Sequence, residues 1–167
     1  MEEQIVITRR PVVADDEAFL LKLYASTRAE EMALVDWSVE EQQAFLRMQF
    51  DAQRRHYVAQ FPDAQFDVIL GDGVAVGRLT VDRTGEFLHI VDIALLPEHR
   101  NAGVATSLIL ELQAESASAK QPLRLHVESF NRAWLLYDRL GFRKVSEVGL
   151  YSLLEWRLPE DSDSMVP

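Results

Sequence analysis

The sequence predicts an α/β fold, a mixed sheet of α+β character that is mostly antiparallel, and three observations carry that reading. After Asp15 the first third of the chain is helical by pattern, its apolar residues recurring along one stripe. A middle stretch, "FDVIL", "GDG", "VAVGRLTVD" and "EFLHIVDIAL", alternates apolar runs with glycine-rich turns, as a meander does. A helical pattern then separates "EFLHIVDIAL" from "LRLHV", so those two strands run parallel if one sheet holds both.

Each element has its own signal. "IVIT", Ile5 to Thr8, is a short strand that Pro11 ends, and Asp15 with Asp16 opens a helix whose stripe is Phe19, Leu20, Leu23 and Tyr24. A loop carrying Glu30, Glu31 and Asp36 follows. Ser38 and Glu41 have the spacing of a capping box, so a second helix starts there and runs towards Phe61 before Pro62 stops it. Gly77, inside a strand, suggests a bulge. Pro97 closes the long strand over 86–95, and a helix from about Val104 to Ala119 carries Ala105, Leu108, Ile109 and Leu112 on one face. Beyond the strand after Pro122, Asn131 caps a short helix, "RAWLLYDRL", with Ala133, Leu136, Tyr137 and Leu140 on one face and Gly141 just past its end. "FRKVSE" and "LYSLLEWRL" make a closing pair of strands. Residues 1–158 therefore form a single domain, and "PEDSDSMVP", 159–167, is an unpatterned tail.

Composition narrows the functional classes. A chain of 167 residues with 48% hydrophobic and 26% charged residues has room for one self-sufficient core and none for a second domain. No apolar run approaches the roughly 18 residues of a membrane span, and the acidic start "MEEQIV" is unlike a secretory signal, so no membrane partner is expected and the cytoplasm is the expected compartment. Cysteine is absent, which excludes disulfides, thiolate metal sites and a cysteine nucleophile. His56, His89, His99 and His126 have no ligand spacing, so no metal is expected. A formal charge of −10 argues against nucleic acid and favours cationic partners, although it equally serves solubility alone.

The turn "HRNAGVAT", between the long strand and the next helix, is the most informative stretch. A helix start presents free N–H groups with the positive end of the dipole behind them, and so attracts anions. The Walker and Rossmann turns do not fit, since no lysine follows and two of the three Rossmann glycines are missing. What remains is R-x-x-G-x-A, made by Arg100, Gly103 and Ala105. Small residues there serve close helix–sheet packing as well.

With that loop the chain resembles the GNAT superfamily of acyl-CoA-dependent N-acyltransferases, whose signature is [Q/R]-x-x-G-x-[G/A] between the fourth strand and the third helix. "VDIALLPEHRNAGVA" is similar to the family's strand-loop-helix segment and "NRAWLLYDRLGF" to its downstream helix, and the element order agrees over residues 5–158. The resemblance implies about seven strands and about four helices in the order seen. Many members have glycine directly after the arginine where this chain has Asn101 and Ala102; asparagine tolerates positive φ, which lets the turn form.

The resemblance also implies a site. Arg100, Asn101, Ala102, Gly103, Val104, Ala105 and Thr106 would surround the diphosphate of acetyl-CoA, and Ile93, Ala94 and Leu95 would offer a backbone edge to its pantetheine arm, with an N–H near Leu95 polarising the thioester carbonyl. Tyr137 stands at the family's usual position for the general acid that protonates the leaving thiolate, and its phenol near ~10 is reasonably matched to a thiol near ~8.5. The same tyrosine also suits the helix's apolar face. Asn131 would orient the cofactor or cap its helix. An alkylamine near ~10.4 is neutral in only about one molecule in 10³ at pH 7, so a base is needed, and His89, Asp92 and Glu128 are the candidates. His89 and Asp92 differ by three residues and alternate in face, so only one looks into the site, and a structural role for His89 stays open.

Family members use the segment between the first two helices as a wall of the acceptor site. Here it carries Glu30, Glu31 and Asp36, which would suit a cationic amine, small molecule or peptide, unless the loop is merely solvated. Without a cysteine, direct attack in a ternary complex is the implied route. A protein that only senses acyl-CoA is the alternative, and a homodimer is compatible with either.

Overall fold

The computed structural model describes residues 4–159. Seven strands follow the hydrogen-bonded order β1-β2-β3-β4-β5-β7-β6, and the chain divides into two compact units, residues 4–81 with 92–104 and residues 82–91 with 105–159. Strand β4 (Leu88–Leu95) gives its second half to the first unit and its first half to the other.

In the first unit, β1 (Ile7–Pro11) pairs antiparallel with β2 (Gln65–Gly71), and β2 with β3 (Val74–Asp82). The β2–β3 turn is tight because Asp72 (φ 50) and Gly73 (φ 81) both take the left-handed conformation. β1 starts two residues later than the sequence suggested and runs through Pro11. That is permitted because β1 is an edge strand, where a missing N–H interrupts no inner ladder. The bulge suggested by Gly77 lies beside it: Ile69 faces Gly77 and Leu70 faces Ala75, so Val76 is the extra residue. The glycine itself answers to a close approach, since a Cβ there would run into the Ala94 carbonyl oxygen of β4.

Helix α1 (Glu17–Thr27) follows a single 3₁₀ turn, Ala14–Asp16. Asp16 is buried and accepts from Arg10 Nη1 (2.8 Å), Arg10 Nη2 (2.7 Å) and the Val13 amide (2.8 Å), fastening the end of β1 to the start of the helix. Leu20 and Tyr24 of α1 pack with Phe50 of α3 (Val39–Gln60), which starts with Ser38 accepting from the Glu41 amide at 3.1 Å. The segment expected as a loop contains a one-turn helix, α2 (Ala29–Met32). Met32 is drawn into the core, and Arg28 holds Glu31 one turn on at 2.9 Å. The α-helices among the described residues thus number five, one more than expected.

In the second unit, β4 runs parallel to β5 (Leu123–Glu128) in a register from Leu88 with Leu123 to Ile90 with Leu125. β7 (Tyr151–Trp156) lies antiparallel between β5 and β6 (Arg143–Val148). The crossover is α4 (Val104–Ala119), whose Leu108, Ile109 and Leu112 are buried as their spacing required. Arg83 is held on this helix by Glu115, with Nη2 donating at 3.0 Å. Helix α5 (Ala133–Arg139) ends with Gly141 at φ 91, the Phe142 amide donating to the Tyr137 carbonyl (3.0 Å) and Gly141 to that of Asp138 (3.1 Å), a Schellman closure. Every residue of β6 is exposed, and its ladder with β7 slips between Lys144 and Ser146.

Candidate active site

The first unit contains the end of β4 and the turn that follows. Ala94 directs its carbonyl at Gly77, and the Leu96 amide donates to the Val76 carbonyl at 2.9 Å. By strand alternation Ile93 and Leu95 turn their backbone groups to the opposite edge. Beyond a 3₁₀ turn, Pro97–His99, the chain passes through Asn101 at φ 60 and Gly103 at φ 82 and enters α4. Arg100, Asn101, Ala102 and Gly103 are all exposed, and a Cβ at Gly103 would touch nothing within 4 Å. The turn is therefore open to solvent in front of the helix start, the condition an incoming phosphate requires. Arg100 folds back, its Nε donating to the Leu95 carbonyl at 3.1 Å, so part of its hydrogen-bonding capacity secures the turn.

The same unit holds a cleft of about 270 Å³ that sequence reading missed. α1 contributes Leu20, α3 contributes Phe50, Gln53, Arg54, Tyr57 and Val58, and the strands contribute Phe66, Arg78, Thr80 and Asp92. It exists because α3, 22 residues long, buries only Phe50 among them and leaves the rest of its inner side open. At the cleft Arg78 Nε donates to Asp92 Oδ2, with side chains 12% and 15% exposed. Asp92 is thus an ion-paired carboxylate, with Oδ2 engaged by Arg78. A charged residue inside each of two largely apolar strands, "VAVGRLTVD" and "HIVDIAL", is a signal that each needs a partner, but not which one.

Glu30 and Asp36, in the proposed acceptor wall, are exposed; Glu31 is bound to Arg28. None of the three lines the cleft.

The second unit carries the remaining candidates. Tyr137 is buried on α5 and its ring meets Phe142 edge-on at 5.6 Å between centroids. Asn131 Oδ1 accepts from the Ala133 amide at 2.9 Å, so it does hold the start of α5, although Arg132 occupies the cap position itself. Ala105 and Thr106 are half-buried in the first turn of α4, and Glu128 is exposed at the end of β5. His89 stacks edge-on with His126 (5.5 Å) and Phe87 (5.9 Å). Burial, then the neighbouring His126, pull its pKa down to about 4 against the opposing pull of Asp82. At neutral pH His89 is an uncharged and weak base.

Comparison with known proteins decides the family. The model of the acetyltransferase (GNAT) family matches residues 26–142, most of the chain, including both the turn and α5. The chain belongs to the GNAT acetyltransferase family. Solved structures agree on the GNAT fold: PaiA N-acetyltransferase from Thermoplasma acidophilum, in complex with coenzyme A, superposes with TM-score 0.69 at 17% identity, over 92% of this chain and 99% of that one. A GCN5-related N-acetyltransferase from Rhodopseudomonas palustris gives 0.65 at 18% identity, covering 95% and 100%. YncA from Salmonella typhimurium, a structure with acetyl-CoA, gives 0.57 at 19% identity, covering 93% and 96%. A search of curated proteins gave no match. The GNAT chain has no described helix long and apolar enough to cross a membrane, and no group of metal-binding side chains among its described residues.

Proposed function

We propose that the protein transfers the acetyl group of acetyl-CoA to a primary amine by direct attack in a ternary complex. The observation that carries this reading is the turn before α4, where Asn101 and Gly103 adopt left-handed conformations and leave the backbone exposed at a 16-residue helix. When bound, acetyl-CoA supplies an activated acyl carbon; the amine nitrogen bonds to it, the C–S bond breaks, and a proton from the ammonium ends on the departing thiol.

The chain's own groups have separable duties in this scheme. The amides at Asn101 to Thr106 take the diphosphate, Ile93 and Leu95 present backbone groups to the pantetheine, and Tyr137 returns the proton to sulfur. Of the three candidate bases, Asp92 is bound by Arg78 and His89 is weakly basic, so Glu128, exposed at the strand end, is the residue through which the amine's proton leaves to water.

Thiol release from acetyl-CoA over a panel of amines, with calorimetric titration of coenzyme A, tests the proposal. Gly103→Val adds a branched side chain where φ is 82, and should weaken coenzyme A binding at least 10-fold. Unaltered affinity in that variant refutes the assignment of the turn, and binding without thiol release makes the protein an acyl-CoA sensor.

A further inference from the structure

We infer that the acceptor is an α-amino acid with an apolar side chain, read by the Arg78–Asp92 pair and the cleft around it. The inference rests on the acetyl-transfer reading and specifies its second substrate.

The pair is only half used. Arg78 bonds through Nε and Asp92 through Oδ2, and among the described residues no other protein group bonds Asp92 Oδ1 or the terminal guanidinium nitrogens. No buried side-chain polar atom among the described residues lacks a partner, so those free atoms are open to the cleft. An open carboxylate oxygen beside open guanidinium N–H groups is complementary to an ammonium beside a carboxylate. An α-amino acid carries those two groups on one carbon.

The walls define the rest of the ligand. Val12, Leu20, Phe50, Tyr57, Val58 and Phe66 are apolar over most of their surface, and about 270 Å³ suits one side chain rather than a polymer. A polyamine brings no carboxylate to meet the guanidinium of Arg78, and the second acid of the cleft, Asp67, is engaged by Gln65 Nε2 at 3.1 Å. Position along the strand agrees as well. Asp92 directly precedes Ile93 to Leu95, and three residues of strand span about 10 Å, so an amine held there lies on the same strand as the proposed thioester edge and within about 10 Å along it.

The test measures kcat/KM for thiol release from acetyl-CoA with leucine and phenylalanine, with 3-methylbutylamine and 2-phenylethylamine, which keep those side chains but lack the carboxylate, and with spermidine. The amino acids should exceed their matched amines at least 10-fold, and Arg78→Gln should abolish that ratio while circular dichroism reports its folding. Val58→Trp, at an exposed position on the cleft, offers a second route that spares the buried pair: it should lower kcat/KM for phenylalanine more than for alanine. Matched amines or spermidine reacting equally well, or no turnover with any compound while coenzyme A binds, overturns the amino-acid proposal. Absence of coenzyme A binding defeats the transferase reading instead, and leucine titrated alone then shows whether the cleft still binds it.

Discussion

Replacing Gly77 with alanine should damage stability and acyl-donor binding together. The added Cβ would overlap the Ala94 carbonyl oxygen, lie 2.7 Å from Leu95 Cδ2 and sit 3.3 Å from the Ala94 carbonyl carbon. The leucine methyl can rotate away; the carbonyl is backbone and cannot. β3 and β4 must therefore part by about 1 Å to restore ordinary contact distances. Overpacking of this kind costs about 1–3 kcal/mol, offset by up to about 1 kcal/mol because alanine stiffens the unfolded chain. The net loss of about 1–2 kcal/mol should lower the thermal midpoint by about 2–8 °C in a chain of this size. Urea unfolding should show a lower midpoint with an unchanged slope. Because the displaced residues are those offered to the pantetheine, the dissociation constant for acetyl-CoA should rise as well. Gly85→Ala is the matched control, since nothing lies within 4 Å of its added Cβ and its φ is not in the left-handed range; it should change stability by less than about 0.5 kcal/mol. Equal midpoints for the two variants would refute the steric argument.

Three further outcomes are expected. The Asp16 carboxyl, lowered to about 2 mainly by its hydrogen bonds from Arg10, stabilises the fold above its unfolded value of 3.8 and loses that contribution as pH falls towards 2. Asp16→Asn should cost about 2 kcal/mol at pH 7 and flatten the acid limb of a stability–pH profile, measured by denaturant titration. His89, held at about 4, stays neutral in the fold while its unfolded counterpart gains a proton near 6.5, so stability should fall as pH drops from 6.5 to 4 and level off below. The loss is about 2 kcal/mol after discounting for its partial exposure, and His89→Gln should remove that slope. Tyr137→Phe should reduce turnover about 10²-fold while coenzyme A affinity, followed by calorimetry, stays within twofold; unchanged turnover would leave Tyr137 as a packing residue.

Elements governed by local chemistry are legible in the sequence alone. The Ser38 cap, the apolar face of α4 and the glycine after α5 each depend on neighbours within a turn or two, and each appears where the residue pattern places it. Asn101 is a subtler case, because its tolerance of positive φ is readable from residue type and the turn does place it at φ 60. What escapes such reading depends on partners distant along the chain. The helix α2 forms because Met32 reaches the core and Glu31 meets Arg28. The placement of β7 inside β6 reverses chain order, although the buried Ser152 and Leu154 against an entirely exposed β6 explain it afterwards. The cleft requires that Arg78 and Asp92, 14 residues apart, meet, and periodicity within one strand cannot show a pairing between two.

The outermost strand has a consequence for behaviour at high concentration. A flat, apolar border would invite a second molecule to extend the sheet, but β6 carries Arg143, Lys144 and Glu147, and its ladder slips at Val145. An approaching backbone would have to strip water from those charges and match an irregular rung. Growth by stacking one molecule's border on another's is thereby discouraged, even though Val145 and Val148 of the same strand are exposed.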